Sequence, residues 1–291
     1  MIKFVNAKIN LGLNIVRKRD DGYHELETLF YPVGVFNGTP ENPEPFCDIL
    51  EVHFRDSGRG DEFSFWGNPI DCPLDKNLVV KAVRGFKAFI DINYPTLPHI
   101  PDVELSLYKR IPDGAGLGGG SADASFTLLA LNELNKGLLS KAELIKIAAT
   151  IGADCPFFIE NHPVLATGIG EVMTPFPLDL SGYWAVIVKP DVYISTKEAF
   201  SSVTPRKPET SISDILRLPI DQWESNGLKN DFEKPIFHLY PVLSDIKQRL
   251  YSNGALYSAM SGSGSSIFGI FPSRDSAAVV RNSLGGFLIK L

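Results

Sequence analysis

The chain has 291 residues, with 28 Lys and Arg against 34 Asp and Glu, a formal net charge of −6. A hydrophobic content of 44% with 21% charged residues describes a globular protein with room for a large core in one or two domains. The acidic balance argues against nucleic acid or an anionic membrane as the main partner, and no apolar run approaches the roughly 20 residues of a membrane span.

Ile9, Leu11, Leu13 and Ile15 share one face of a first strand, and Lys8, Asn10, Gly12 and Asn14 share the other. The residues ahead of it hold no apolar segment of signal-peptide length. The three cysteines, Cys47, Cys72 and Cys155, have neither disulfide nor zinc spacing, so a cytoplasmic location is expected. Asp20-Asp-Gly22 signals a turn, and residues 23–30 resume the sheet. Residues 40–45 read as a surface loop. Strands over 48–55 and 62–66, separated by Ser57-Gly-Arg-Gly60, are expected to form a hairpin with a longer turn. Asn77 opens a helix whose apolar face includes Val79, Val83, Phe86 and Ile90.

Val103-Glu-Leu-Ser-Leu-Tyr108 alternates as a half-buried strand does. It leads into Pro112-Asp-Gly-Ala-Gly-Leu-Gly-Gly-Gly-Ser121, with five glycines in seven residues. Ser121 is expected to cap a helix carrying Ala122, Phe126, Leu129 and Leu134 and ended by Gly137. A second helix opens at Ser140, with Glu143 at capping-box spacing, and ends at Gly152, with Asp154 just beyond. Past residue 161, where a domain boundary is placed (1–161 and 162–291), strands are expected near 164–166 and 184–188. A Pro/Ser-rich connection at 204–213 and helices around 222–225 and 238–253 follow. A second glycine cluster, Ser261-Gly-Ser-Gly264, precedes a strand over 267–271.

The first glycine run points to phosphate. Glycines let the backbone approach a ligand closely, and the helix start beyond offers unpaired N–H groups with a partial positive charge. It is not a Walker A loop, because no Lys follows the last glycine. Gly114, Gly116 and Gly119 fit G-x-G-x-x-G, but a helix and not a second parallel strand follows, which removes the dinucleotide fold. No V-A-I-K, H-R-D or D-F-G element accompanies it, which removes the protein kinases. Lys8 or Asp154 alone is a solvated side chain or a turn former. Beside a phosphate loop they have the right types for phosphoryl transfer, which needs charge neutralisation and a carboxylate for the acceptor's proton.

Four segments together resemble the superfamily of galactokinase, homoserine kinase, mevalonate kinase and phosphomevalonate kinase. Within it they resemble the branch that phosphorylates 4-diphosphocytidyl-2-C-methyl-D-erythritol in the non-mevalonate route to isoprenoids. They are Ala7-Lys-Ile-Asn-Leu-Gly-Leu-Asn14 with Asp21-Gly-Tyr-His-Glu-Leu26, the first glycine loop with Ser121-Ala-Asp-Ala124, Ile151-Gly-Ala-Asp-Cys-Pro-Phe157, and Met260-Ser-Gly-Ser-Gly264.

The resemblance implies an α+β fold of two domains, ribosomal-protein-S5-like then ferredoxin-like, with the active site between them. It implies Lys8 and Asp154 as the catalytic pair, with Lys8 holding Asp154 ionised and Asn10 supporting the acceptor end. Tyr23 and His24 would hold the cytosine, and Phe200, just after Thr196, would close on its other face. Pro112, Asp113, Gly114, Ala115, Gly116, Leu117, Gly118, Gly119, Gly120, Ser121 and Ala122 would hold the phosphates of ATP. Asn77 and Lys109 would lie toward its nucleoside. Gly119-Gly120 stands where the superfamily has Ser-Ser, so Mg²⁺ is expected with ATP but is given no protein ligand. The partner implied is a small molecule, with monomer and homodimer both open. Two rivals are another kinase of the superfamily and a non-catalytic sensor on the same fold. The Tyr23-His24 segment and Asp154-Cys-Pro argue against the first, and retention of both Lys8 and Asp154 against the second.

Overall fold

The computed structural model describes residues 1–35, 46–56, 58–70 and 72–291, so the loop expected at 40–45 lies outside the described residues. The first strand, β1 (Ile2–Lys18), is buried on both faces from Val5 to Ile15, so its polar side chains are inside the protein. After the turn at Asp20–Gly22 comes β2 (His24–Val33). Then follow β3 (Cys47–Arg55), β4 (Glu62–Gly67) and α1 (Leu78–Asn93), whose N-cap Asn77 accepts the Val79 N–H. Next are β5 (Asp102–Lys109), α2 (Gly119–Leu134), α3 (Lys141–Ile151) and a short α4 (Cys155–Glu160). The Ser140–Glu143 capping box of α3 forms as expected. Strands β6 (Val164–Thr167), β7 (Val172–Pro175) and β8 (Trp184–Val188) lead to four helices: α5 (Thr196–Ser202), α6 (Ile212–Ile215), α7 (Glu233–Leu239) and α8 (Pro241–Ser252). The chain ends with β9 (Tyr257–Met260), β10 (Ile267–Phe271), α9 (Arg274–Leu284) and β11 (Phe287–Lys290).

The chain forms two compact units, each built from several segments. The first comprises Met1–Ala7, Cys47–Asp113 and Gly118–Asn161. Its strands lie in the order β4-β5-β3-β1, and α1 to α4 pack together, with α2 against β3. The core joins Leu50, Val52, Val103, Leu105 and Leu107 of the sheet to Val83, Phe86 and Leu131 of the helices.

The second unit comprises Lys8–Phe46, Gly114–Leu117 and His162–Leu291. The order β1-β2-β6-β7 makes one part of it. The other is a fully antiparallel sheet, β11-β8-β10-β9, with α8 packed on β10 and α9 on β8. Counted from β8, its strands lie fourth, first, third, second, which is the ferredoxin-like order. Trp184, Val186, Ile246, Leu250, Phe271 and Val280 fill its core together with Leu13 and Ile15 of β1.

Several expectations are corrected. Strands β3 and β4 do not form a hairpin, because β5 lies between them, antiparallel to β3 from Ile49↔Tyr108 to Arg55↔Asp102 and parallel to β4. The glycine-rich connection serves another purpose: the N–H groups of Gly58, Arg59 and Gly60 donate to Asp102 Oδ2 at 2.8, 3.1 and 2.9 Å, wrapping the start of β5. Those bonds, with Lys87's charge, hold the Asp102 carboxyl below the usual carboxylate range. Residues 222–225 are not an α-helix. A 3₁₀ turn at Ile220–Gln222 ends in a loop that Gly227 closes at φ +96°. The helix expected over 238–253 is two helices. Pro241 bars the α conformation from the residue before it, and Tyr240 sits at φ −128°, ψ 76°.

Because β5 is central, Leu105 lies between Val52 on one neighbour and Phe63 on the other. Leu105→Ala is therefore expected to cost about 2–5 kcal/mol, read as a lowered denaturation midpoint in urea. A cost near zero would place β5 at an edge.

Candidate active site

The glycine loop is held by its carbonyl groups. The Ala115 carbonyl accepts the Ser266 N–H at 3.2 Å, and the Leu117 carbonyl accepts the Lys8 N–H at 2.9 Å. Between them the Gly116 carbonyl accepts the Ser261 hydroxyl at 2.8 Å. Gly116 adopts φ +76°, and a Cβ there would stand 1.9 Å from the Ser261 carbonyl oxygen. This glycine is therefore demanded by the second glycine turn, a reason the sequence reading did not supply. Asn230 holds that turn in place, donating from Nδ2 to the carbonyls of Met260 and Gly262, each at 2.8 Å.

Ser121 is not the N-cap. The N-cap lies three residues earlier, at Gly118 in the left-handed conformation (φ +71°), and helix α2 begins at Gly119. The Cβ position of Gly119 lies 2.9 Å from Ile111 Cγ2, so a side chain here would require Ile111 to shift. The Ala122 N–H closes the first helical bond to Gly118 O, leaving the N–H groups of Gly119, Gly120 and Ser121 ahead of any intrahelical acceptor. Ala122 itself turns its methyl into the core. Pro112 is half-buried, and Asp113 and Gly114 are exposed, with the Tyr193 ring against Gly114.

Beneath this helix start, in the same unit, lies a buried charge cluster. Lys109 Nζ donates to Asp48 at 2.5 Å and to Asp123 at 2.7 Å. The other oxygen of Asp48 accepts the N–H groups of Arg110 and Ile111, fixing the chain that leads into the loop. Burial, opposed by the Lys109 charge, pushes the Asp123 carboxyl up to about 8. Burial also works against the charge on Lys109, but Asp123 and Asp48 outweigh it and raise its pKa. Lys109, expected toward the nucleoside, has its ammonium group in this cluster.

Asp154 is half-buried at the N-terminal edge of α4 and makes no cap bond to it. Ser125 on α2 donates to the carbonyls of Cys155 and Ser121, tying the Asp154 segment to the first turn of α2. Burial, only partly offset by Ser121, pushes the Cys155 thiol up to about 11, so it stays protonated.

In the second unit Lys8 and Asn10 project from β1 into buried surroundings. Lys8 Nζ donates to Asn10 Oδ1 at 2.6 Å and lies 4.7 Å from the centre of the Phe30 ring. At the other end of the β1–β2 connection Tyr23 is 61% exposed. His24 and Phe200 stack directly, centroids 5.0 Å apart and 22° from parallel, so no base fits between these two rings. Phe200 rests edge-on against Phe232 and stacks on His24. Thr196 is exposed at the start of α5. Burial, then the Lys18 charge, lowers the His24 pKa, leaving a neutral ring with one donor and one acceptor nitrogen.

Asn77 opens, in the first unit, onto a cleft of about 520 Å³ lined by Phe65, Trp66, Asn68, Pro69 and Ile70 as well. Trp66 is 64% exposed there, an aromatic face that sequence reading passed over because it ends an ordinary strand. Among the described residues no three His, Cys, Asp or Glu side chains group as a metal site.

Residues 77–161 match the model of the GHMP kinases N terminal domain, and residues 218–290 that of the GHMP kinases C terminal domain. A protein of Parabacteroides distasonis named 4-diphosphocytidyl-2-C-methyl-D-erythritol kinase is 50% identical over 271 residues, covering 93% of this chain and 92% of its own. A crystal structure of 4-(cytidine 5'-diphospho)-2C-methyl-D-erythritol kinase superposes with a TM-score of 0.77 at 33% identity, over 99% of this chain and 97% of that one. The homoserine kinase of Cytophaga hutchinsonii superposes at 0.71 with 18% identity, over 100% and 94%, a likeness of fold alone.

Lys109→Met removes the cation that two buried acids share and is expected to destabilise the protein by about 3–5 kcal/mol in urea denaturation. Adding Asp48→Asn and Asp123→Asn to the same chain should recover most of that loss. If the single variant were as stable as the parent, the cluster would not support the loop.

Proposed function

The chain belongs to the GHMP kinases and, among them, to the 4-diphosphocytidyl-2-C-methyl-D-erythritol kinases, and on that premise we propose how its residues serve ATP-dependent phosphorylation in isoprenoid precursor biosynthesis. The acceptor is the 2-hydroxyl of 4-diphosphocytidyl-2-C-methyl-D-erythritol. Asp154 receives its proton. Lys8, oriented by Asn10, stabilises the negative charge on the transferred phosphoryl group. The observation that carries this reading is the clamped glycine loop. With the carbonyls of 115–117 all engaged, the open N–H groups at the start of α2 remain for phosphate oxygens, with the helix dipole behind them.

The cleft at Asn77 suits the base of ATP, with the Trp66 face open for stacking and polar Asn68 beside it. Cytosine lies on the exposed Tyr23 ring, with its edge read by neutral His24, which Phe200 holds from behind. The described residues offer no carboxylate cage for Mg²⁺, so the metal fits as an ion carried mainly by the nucleotide phosphates. The three free cysteines, two of them buried, fit the reducing cytosol as the compartment. The family matches at 77–161 and 218–290 fall on either side of the boundary proposed at residue 161, while residues 8–46 and 114–117 pack with the second unit.

The direct test is ADP release with the cytidyl substrate against mevalonate, homoserine and galactose. Turnover should be confined to the first, and equal turnover with another acceptor refutes the assignment. Asp154→Asn should keep the fold and ATP affinity yet lose about 10²–10⁴ in kcat, the usual worth of a positioned base. Near-normal turnover would remove Asp154 from the mechanism.

The lowered pKa of His24 sets a pH expectation. The neutral ring predominates above the ordinary value of 6.5, so KM for the cytidyl substrate stays flat there and rises only at lower pH, as the ring gains a proton and loses its acceptor. His24→Gln should abolish this acid limb. Survival of the limb in the variant would assign it to another group.

A further inference from the structure

A buried threonine of β2, assigned no role so far, contacts the Asn10–Lys8 pair. Thr28, on β2, is 1% exposed, and its hydroxyl oxygen makes two short contacts. Its single proton goes to the Gly12 carbonyl at 2.5 Å. Gly12 has φ +72° in the middle of β1, where a Cβ would stand 2.6 Å from Leu228 Cδ1, so this carbonyl's direction depends on glycine. With its proton committed, the Thr28 oxygen is left as an acceptor, and Asn10 Nδ2 donates to it at 2.9 Å.

That bond orients the Asn10 side chain. An amide with its nitrogen on Thr28 must turn its oxygen the other way, and there Oδ1 accepts from Lys8 Nζ at 2.6 Å. An ammonium group has no acceptor lone pair, so the opposite flip of the amide would set donors against donors at Lys8. Asn10's backbone is held as well: its N–H donates to Ser261 Oγ at 3.3 Å, and the same hydroxyl donates to Gly116 of the phosphate loop. The sequence Gly12, Thr28, Asn10, Lys8 is thus a directed chain of hydrogen bonds within one unit, and each link leaves the next a single orientation. Asn10 and Lys8 are 2% and 4% exposed, so water is a poor substitute for a lost link.

We infer that Thr28 is a positioning residue for the phosphoryl transfer. It touches no reacting atom and acts only by fixing the Asn10 amide, whose oxygen sets the place of the Lys8 ammonium. The inference rests on the reading above in which Lys8 and Asn10 serve the reaction.

The experiment is a double-mutant cycle on the full-length enzyme, with kcat and both KM values measured for Thr28→Val, Thr28→Ser, Asn10→Ala and the Thr28→Val/Asn10→Ala pair, each followed by thermal melting. Thr28→Val keeps the shape and deletes the hydroxyl, and Thr28→Ala replaces it should it fail to fold. The expected result is a fall in kcat toward about 10²-fold, the cost of roughly an ångström of misplacement, with KM for ATP and for the cytidyl substrate nearly unchanged. Thr28→Ser should restore kcat, because the hydroxyl returns. The double variant should be no slower than Asn10→Ala alone, since Thr28 has no route except through Asn10. A Thr28→Val enzyme with parental kcat beside an impaired Asn10→Ala enzyme overturns the inference and leaves the assignment of Asn10 intact. Losses that multiply in the double variant also overturn it. Full activity in Asn10→Ala overturns both.

Discussion

Three hydrogen bonds to the carbonyls of Ala115, Gly116 and Leu117 fix the stretch of backbone around which the candidate site is built. A run of glycines has many conformations open to it, and folding must remove that freedom before the loop can bind anything. Carbonyls engaged by Ser266, Ser261 and Lys8 cannot swing toward an anion. In the proposed reading phosphate would therefore meet donors and not acceptors at a loop whose carbonyls are already engaged. The second glycine turn contributes one of these bonds through a backbone N–H and another through a hydroxyl, so it acts as the loop's mould.

Two buried lysines anchor the charge arrangement. Lys109 is enclosed by Asp48 and Asp123, and Asp48 also ties down Arg110 and Ile111, so its role is to hold the chain entering the loop. Lys8 donates to the Asn10 amide oxygen, which orients it, and lies over the Phe30 ring. For a protein of net charge −6 that handles anionic substrates, such local arrangement matters more than the overall balance.

Backbone detail repeats the theme of mutual dependence. Gly116 is glycine because of Ser261 and Gly12 because of Leu228, and a side chain at Gly119 would require Ile111 to shift. Asn230 braces the turn that contains Ser261. Gly116 and Gly12 answer to partners far away in sequence, which is why a flexible composition gives a defined site.

The sequence by itself determined what neighbouring residues decide among themselves. The alternation of β1 and β5, the amphipathic face of α1 with its Asn77 cap and the capping box of α3 all follow from periodicity and local hydrogen bonding. The composition of the glycine loop and the elements beside it read as an anion site, and the segments around Lys8 and Asp154 pointed to the family. Only the tertiary structure decided that β5 separates β3 from β4, that Gly118 and not Ser121 is the N-cap of α2, that Lys109 lies between two acids, and that Phe200 leans on His24. The same holds for Thr28, an unremarked strand residue until Gly12 and Asn10 are seen on either side of its hydroxyl. The physical reason is range. Local pattern records contacts within a few residues, whereas the order of strands in a sheet and the partner of a buried polar atom depend on segments brought together only when the core closes.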